Sequence, residues 1–350
     1  MQKNRLGRSD INVSRYCLGS MTWGRQTTAR AAHAQIDMAL DHGINFIDTA
    51  EMYPVNPVSA ETIGRTERII GLWFDASAGR RSDVILATKH SGEGLRAVRD
   101  GAPITARSIR ETIEGSLRRL KTDYIDLYQF HWPNRGSYHF RQNWGYDPSG
   151  QQPAKVRDNM AECLAALEEE RKRGTIREFG LSNETAWGAA QWLRLSEDAG
   201  GDTPRAASIQ NEYSLLCRHF DTDLAELSLN EDLGLLAYSP LAAGLLTGKY
   251  QGGAVPDGSR MARVPELGGR KSPRVFDAVE DYIDLAFKHD LDPVHMALEW
   301  VAGRKFTTSV IIGATTGDQL DHILKGTSLK LTKEVCDDID KVHRAHPMPY

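Results

Sequence analysis

With 350 residues, 40% of them hydrophobic and 26% charged, the chain has material for a sizeable core and is not a disordered tail. Its net charge of −4 gives no general attraction to nucleic acid or to an anionic membrane. No apolar run reaches the ~18 residues that a bilayer span needs, and the polar start Met1-Gln2-Lys3-Asn4-Arg5 is unlike an export signal, so a cytoplasmic protein is expected.

Residues 2–13 predict a small hairpin turning at Gly7-Arg8-Ser9-Asp10. Tyr16 to Gly19 predicts a first strand, and Ala29 to Asp41 a helix, with Ala32, Ile36, Ala39 and Leu40 at helical spacing and Gly43 as its stop. Ile44 to Ile47 is apolar on both sides of the strand direction, as a strand covered on both faces must be, and it ends at Asp48. Strand and helix signals then alternate: a helix over Glu61–Phe74, a strand over Val84–Thr88 ending at Lys89, and a helix over Thr105–Leu120. A strand over Ile125–Phe130 follows, ending at His131, and then a helix over Val156–Arg173 closed by Gly174. Further strands are expected at Ile176–Leu181, Ala207–Gln210, Leu233–Tyr238 and Thr308–Ile312.

Eight strands with helices between them argue for a (β/α)8 TIM barrel, a single domain over 1–350 with the hairpin as an extra piece. A doubly wound dinucleotide fold is weaker, because no Gly-x-Gly-x-x-Gly loop follows an early strand.

Two connections break the regular alternation. Trp132 to Lys155 is long and aromatic, with Tyr138, His139, Phe140, Trp144 and Tyr146, and is expected to wall a substrate pocket. Gly248 to Ser272, rich in glycine and basic residues, suggests a mobile segment folding over a charged ligand.

Asp48, Tyr53, Lys89 and His131 fall in chain order at or just past the ends of three successive strands. Singly, each has an ordinary reading: a cap or salt-bridge acid, a half-buried aromatic, a snorkelling cation, a hydrogen-bonded core histidine. Together they are four residue types able to transfer and tune one proton at the C-terminal rim of a parallel sheet, where α/β folds place their chemistry. A phenol is a poor acid at neutral pH, and a nearby ammonium would lower its pKa. Cys17, Cys163, Cys217 and Cys336 lie far apart among apolar or helical residues and read as reduced core residues. No metal is expected: His343 and His346 have no third ligand near them in the sequence.

The order of those four residues, with Asn45-Phe46-Ile47-Asp48-Thr49-Ala50 and Leu181-Ser182-Asn183, resembles the aldo-keto reductase superfamily. Met52-Tyr53-Pro54-Val55, Leu127-Tyr128-Gln129-Phe130-His131-Trp132-Pro133 and Gly313-Ala314-Thr315-Thr316 resemble its Tas-like bacterial branch, over essentially the whole chain. The resemblance implies reduction of an aldehyde or ketone to an alcohol by NADPH. Tyr53 would be the general acid, Lys89 and Asp48 its tuning pair, and His131 a donor to the carbonyl oxygen. It also implies a hairpin that closes the barrel bottom.

By the same resemblance, Ser182, Asn183 and Gln210 would hold the nicotinamide carboxamide and Tyr238 would stack on its ring. Ser239, Pro240, Leu241 and Gly244 would wrap the pyrophosphate, Gly19, Ser20 and Met21 would approach the ribose, and Gly313, Thr315 and Gln319 would bind the adenosine end. Lys249 and Arg260 stand where members grip a 2′-phosphate, which favours NADP(H) over NAD(H). His322 and Ile323 replace the Glu and Asn with which many members contact adenine. Trp23 and Trp132 suggest a substrate pocket for an apolar or aromatic carbonyl. The alternative is an NADP(H)-binding regulatory subunit with little turnover, resembling potassium-channel β subunits.

Overall fold

Successive side chains of a strand face opposite ways, so a barrel strand serves two interiors at once. In the computed structural model, which describes residues 1–350, a hairpin of β1 (Lys3–Arg5) and β2 (Asn12–Ser14) precedes eight barrel strands. These are β3 (Tyr16–Gly19), β4 (Phe46–Asp48), β5 (Ile85–His90), β6 (Ile125–Phe130), β7 (Ile176–Ser182), β8 (Ala206–Glu212), β9 (Gly234–Tyr238) and β10 (Thr307–Ile312). They pair in parallel in sequence order, and β10 closes on β3. The fold is the expected (β/α)8 barrel.

One set of strand side chains, including Leu18, Ile47, Leu86, Tyr128, Phe179, Leu235 and Val310, joins a cluster of 72 buried residues shared with the surrounding helices. The other set, Cys17, Phe46, Ala87, Leu127, Ala207, Leu236 and Ile311, fills the barrel's lower interior and packs with Leu6, Ile11 and Val13 of the hairpin. The hairpin therefore plugs the barrel. Gly7, at its turn, has φ +55°, and a Cβ there would run into the Ala207 backbone.

Around the barrel run α1 (Ala29–Asp41), α2 (Arg65–Ala76), α3 (Ala106–Leu120), α4 (Pro153–Lys172), α5 (Ala186–Ala199), α6 (Asp223–Glu231), the short α7 (Arg260–Arg263), α8 (Pro273–Lys288), α9 (Pro293–Ala302), α10 (Gly317–Lys325) and α11 (Lys333–Ala345). Local chemistry sets their starts: Thr28, Thr105, Ser272, Asp292, Thr316 and Thr332 each accept a first-turn N–H on the side chain. None is long and apolar enough to cross a membrane.

Several boundaries differ from expectation, among them α4, which starts at Pro153 rather than Val156, and the starts of β4 and α2. β4 begins at Phe46 rather than Ile44, because Asn45 faces the hairpin: its Oδ1 accepts from Ser14 N and its Nδ2 donates to the Asn12 carbonyl. α2 begins at Arg65 rather than Glu61, behind Gly64 in a left-handed conformation (φ 71°). The turns before it hold the prolines Pro54 and Pro57, which have no N–H to give a helix. Gly248 to Ser272 carries structure of its own, a 3-10 turn at Gln251–Gly253 and then α7.

Candidate active site

The strand period that plugs the barrel also builds the site. Two positions beyond the plug residues Cys17, Phe46, Ala87, Leu127, Leu236 and Ile311 stand Gly19, Asp48, Lys89, Gln129, Tyr238 and Gly313. On each of these strands that step returns to the same face one layer higher. The chain thus places a polar layer on an apolar one at the C-terminal end of the barrel.

Within that layer, Lys89 Nζ donates to Asp48 Oδ2 at 2.6 Å and to the Thr49 carbonyl at 2.7 Å. Lys89 is fully buried, and an ammonium so desolvated persists only with such partners. Burial pulls its pKa below the ordinary lysine value, and the Asp48 carboxylate opposes that shift. The other carboxylate oxygen of Asp48 accepts from Gln129 Nε2 at 3.1 Å and from Gln210 Nε2 at 2.8 Å.

Tyr53, in the loop after β4, and His131, just past β6, stand beside this pair. Lys89 Nζ lies 5.0 Å from the centroid of the Tyr53 ring, and the Tyr53 and His131 rings meet edge to face at 5.8 Å. Burial, then Asp48 and then Cys17 hold the phenol's pKa well above its ordinary value. Burial and then Lys89 hold the imidazole's well below. At neutral pH the site therefore offers a phenol O–H and an uncharged imidazole whose buried Nδ1 has no protein partner. In this geometry burial and Asp48 outweigh the lowering expected from Lys89. Its ammonium turns to Asp48 and Thr49, and the adjacent carboxylate disfavours a phenolate.

Sequence reasoning missed two supports. Gln129 shares its face with Leu127 and reaches Asp48; an uncharged amide two positions from Leu127 near the end of the strand was the available signal. Glu51 is buried below Tyr53's loop, where it accepts from Ser91 N at 2.7 Å and from Arg99 Nη1 at 2.6 Å, fixing that loop to the end of β5.

The rim beyond β7 to β9 is knitted together. Ser182 Oγ donates to the Gln210 carbonyl (2.8 Å), Asn183 Nδ2 to the His131 carbonyl (2.9 Å), and the Tyr238 hydroxyl to Asn183 Oδ1 (2.7 Å). Asn183 and Ser239 both have positive φ, 50° and 54°, so the chain turns sharply as it leaves β7 and β9. Pro240 and Leu241 continue that turn into Gly244, at φ 94°, where a Cβ would lie 2.9 Å from Lys249 Nζ. Lys249 and Arg260 are both half-buried and have no carboxylate within 4.0 Å. Burial lowers both pKa values, and the cations press on one another: Arg260 lowers Lys249, and Arg270 lowers Arg260.

A family model described as the Aldo/keto reductase family matches residues 15–344. The chain belongs to this family. It is 42% identical over 355 residues to Protein tas of Escherichia coli (strain K12), covering 100% of this chain and 99% of that protein, which places it in the Tas-like branch. It is 33% identical over 342 residues to Uncharacterized oxidoreductase YrpG of Bacillus subtilis (strain 168), covering 96% and 94%. It is also 29% identical over 360 residues to a Probable voltage-gated potassium channel subunit beta of Arabidopsis thaliana, covering 99% and 98%. Members of the family are oxidoreductases that generally use NAD(P)H.

Several residues of this aldo-keto reductase lie elsewhere than the sequence suggested. Trp23 presents no surface to a pocket: it is fully buried, with its indole N–H on Gln35 Oε1 at 3.0 Å and its carbonyl accepting from Thr66 Oγ1. Trp132 does stand at the rim, its ring 5.1 Å from that of His131. Ser20 is buried and donates its hydroxyl to the Asp48 carbonyl, while Met21 stays half-exposed. Thr315 and Gln319 bond each other at the start of α10, through Thr315 N and Oγ1 onto Gln319 Oε1. Ile323 packs into the large core, so it has no face for adenine; His322 faces solvent beside Asp292.

One cavity of about 340 Å³ is not at the chemistry. It lies outside the barrel wall under the ends of the Trp132–Lys155 loop, lined by Ile104, Phe130, Met160, Cys163, Leu181 and Trp192, and none of the four central residues borders it. A roomy, mostly apolar cleft is by itself a candidate for a site. The convergence of titratable groups on the barrel axis chooses the rim instead.

The Trp132–Lys155 loop is held over that rim by inward polar bonds from its first half. Arg135 pairs with Glu184, Ser137 Oγ donates to the Asn183 carbonyl, and His139 Nε2 donates to the Glu184 carbonyl at 3.0 Å. Arg141 reaches Glu212 at 2.7 Å, where Arg270 from the Gly248–Ser272 segment also lands at 2.8 Å, so one carboxylate joins both long segments. Trp144 points to solvent instead, 67% exposed.

Burial depresses the His139 pKa to about 4, so the folded protein keeps this ring neutral where an unfolded chain, with a value near 6.5, would take up a proton. Stability from His139 is complete above pH ~6.5 and declines below it, by on the order of 2 kcal/mol at pH 5. The melting temperature should therefore fall between pH 7.5 and pH 5, and His139→Asn should flatten part of that fall. Superimposable profiles for the two proteins would exclude His139 as a source.

Proposed function

We propose that this aldo-keto reductase reduces an aldehyde or ketone to an alcohol with NADPH. The observation that carries the reading is the layer of Asp48, Lys89, Tyr53 and His131 at the barrel mouth, where a protonated phenol and a neutral imidazole stand beside a buried ion pair. When bound, the reduced nicotinamide supplies the hydride. Tyr53 donates its hydroxyl proton to the carbonyl oxygen, and His131 donates a hydrogen bond that aligns that oxygen. Asp48 and Lys89 keep a charged pair beneath the phenol, and Gln129 and Gln210 hold Asp48 in place.

Ser182, Asn183, Gln210 and Tyr238 form a polar bracket suited to a carboxamide and a ring. Preference for NADPH rests on Lys249 and Arg260, two half-buried cations that repel each other without a carboxylate partner. A 2′-phosphate brings the missing negative charge, and NADH brings none there.

Titration with NADPH, followed by fluorescence, and then a panel of aldehydes and ketones watched at the reduced-nicotinamide absorbance, tests the reading. Tight binding with turnover is expected. Tight binding without turnover on any carbonyl would point to the regulatory role carried by the name of the potassium-channel relatives. Lys249→Ala should weaken NADPH by about 10- to 100-fold, the value of one or two charge-assisted hydrogen bonds, and leave NADH nearly unchanged. Equal weakening of both nucleotides would remove the 2′-phosphate assignment.

A further inference from the structure

Away from the barrel mouth, α9 and α10 bring together three residues that the sequence keeps apart. Asp292 caps α9, its Oδ1 accepting from Val294 N at 2.8 Å and His295 N at 3.0 Å. Its Oδ2 lies 3.1 Å from His322 Nε2, and its Oδ1 lies 4.0 Å from His295 Nδ1. One ligand atom from each of the three falls within 4.8 Å of the others.

The orientation of His295 is fixed. Its Nε2 is 2.7 Å from the His322 carbonyl oxygen, which can only accept, so the proton sits on Nε2 and the lone pair is on Nδ1, the nitrogen nearer Asp292. The His322 ring stacks over it at 4.7 Å, and Gly326 lies beneath, where any Cβ would run into the His295 ring. A ring nitrogen lone pair near a carboxylate repels it, and a cation between them removes that repulsion. A backbone carbonyl accepting the other ring N–H is the usual outer support of a metal-bound histidine.

We infer that Asp292, His295 and His322 form a binding site for one divalent cation of the zinc class, fastening α10 to α9. Two imidazole nitrogens and one carboxylate oxygen select zinc, cobalt or nickel over magnesium or calcium, which prefer all-oxygen sites. In a tetrahedral zinc site the ligand atoms stand ~3.4 Å apart; here His322 Nε2 is 3.1 Å from Asp292 Oδ2 and His295 Nδ1 is 4.0 Å from Oδ1, and with one ligand atom of each residue within 4.8 Å of the others, small side-chain rotations close the set onto one ion. With the His322 side chain 49% exposed, solvent can supply the fourth ligand. His343 and His346 contribute nothing similar; His346 is held by Asp281 at 2.6 Å.

The test is independent of the reductase reading. Untagged protein, stripped with a chelator, is titrated with cobalt and then with zinc. One equivalent of cobalt should give the visible absorption of a tetrahedral complex, zinc should abolish it, and zinc should raise the melting temperature by a few degrees. His322→Gln and His295→Gln should remove both signals. Asp292→Asn, which still caps the helix, should weaken binding by at least ~10-fold. Should His295→Gln fail to fold because its ring is packed on Gly326, the exposed His322→Gln decides. Absence of the cobalt spectrum, or its persistence in His322→Gln, overturns the site.

Discussion

Tyr53→Phe is expected to bind NADPH as the parent does and to lose roughly 10²- to 10⁴-fold in turnover, about 3 to 5 kcal/mol of barrier. The substitution removes one oxygen and leaves the ring that packs edge-on to His131 and lies above Lys89. The fold should therefore be unaffected, and the loss reports the proton alone. Because burial and Asp48 hold the phenol's pKa well above its ordinary value, and burial holds His131 well below its own, neither group titrates between pH ~6.5 and ~10. The rate of the parent should accordingly be flat through the neutral range. Steady-state kinetics of both proteins, with fluorescence titration for cofactor affinity, make the comparison. Turnover unchanged in Tyr53→Phe would dismiss the phenol as the acid, and His131 would be the next group to test.

The barrel was legible because its strands are apolar on both faces, and Asp48, Lys89 and His131 were legible because each interrupts or ends such a run. What the sequence did not disclose lies in pairings across long separations. Glu51 meets Arg99 from 48 positions away, and Glu212 meets Arg141 and Arg270 across 71 and 58. No local pattern encodes these partners; they follow only once the strand ends share one rim. Trp23 misled for the opposite reason: an aromatic beside Gly19-Ser20-Met21 suggests a pocket wall, yet Gln35, thirteen residues into the chain beyond Thr22, supplies the acceptor that lets the indole sink into the core. The balance of effects on Tyr53 was not legible because residue types give the charges but not their distances. With Lys89 turned to Asp48 at 2.6 Å, the phenol's surroundings are set by burial and by the carboxylate.

The pair beneath the phenol should separate stability from activity. Asp48→Asn removes the charge that balances Lys89, and breaking a buried ion pair from one side costs about 3 to 5 kcal/mol. Denaturant unfolding should show that loss, with Lys89→Met costing a comparable amount because Asp48 is then left buried with only Gln129 and Gln210 as donors. Asp48→Asn combined with Lys89→Met removes both charges and keeps an amide oxygen for Gln129 and Gln210, and much of the stability should return, since each single change leaves a charge that the double change removes. Activity should not return with it. If the pair serves the chemistry by keeping two opposite charges under Tyr53, the stable double variant remains as impaired as the singles. Recovery of turnover together with stability would mean that the pair acts only as scaffolding, and that Tyr53 and His131 suffice without a charge below them.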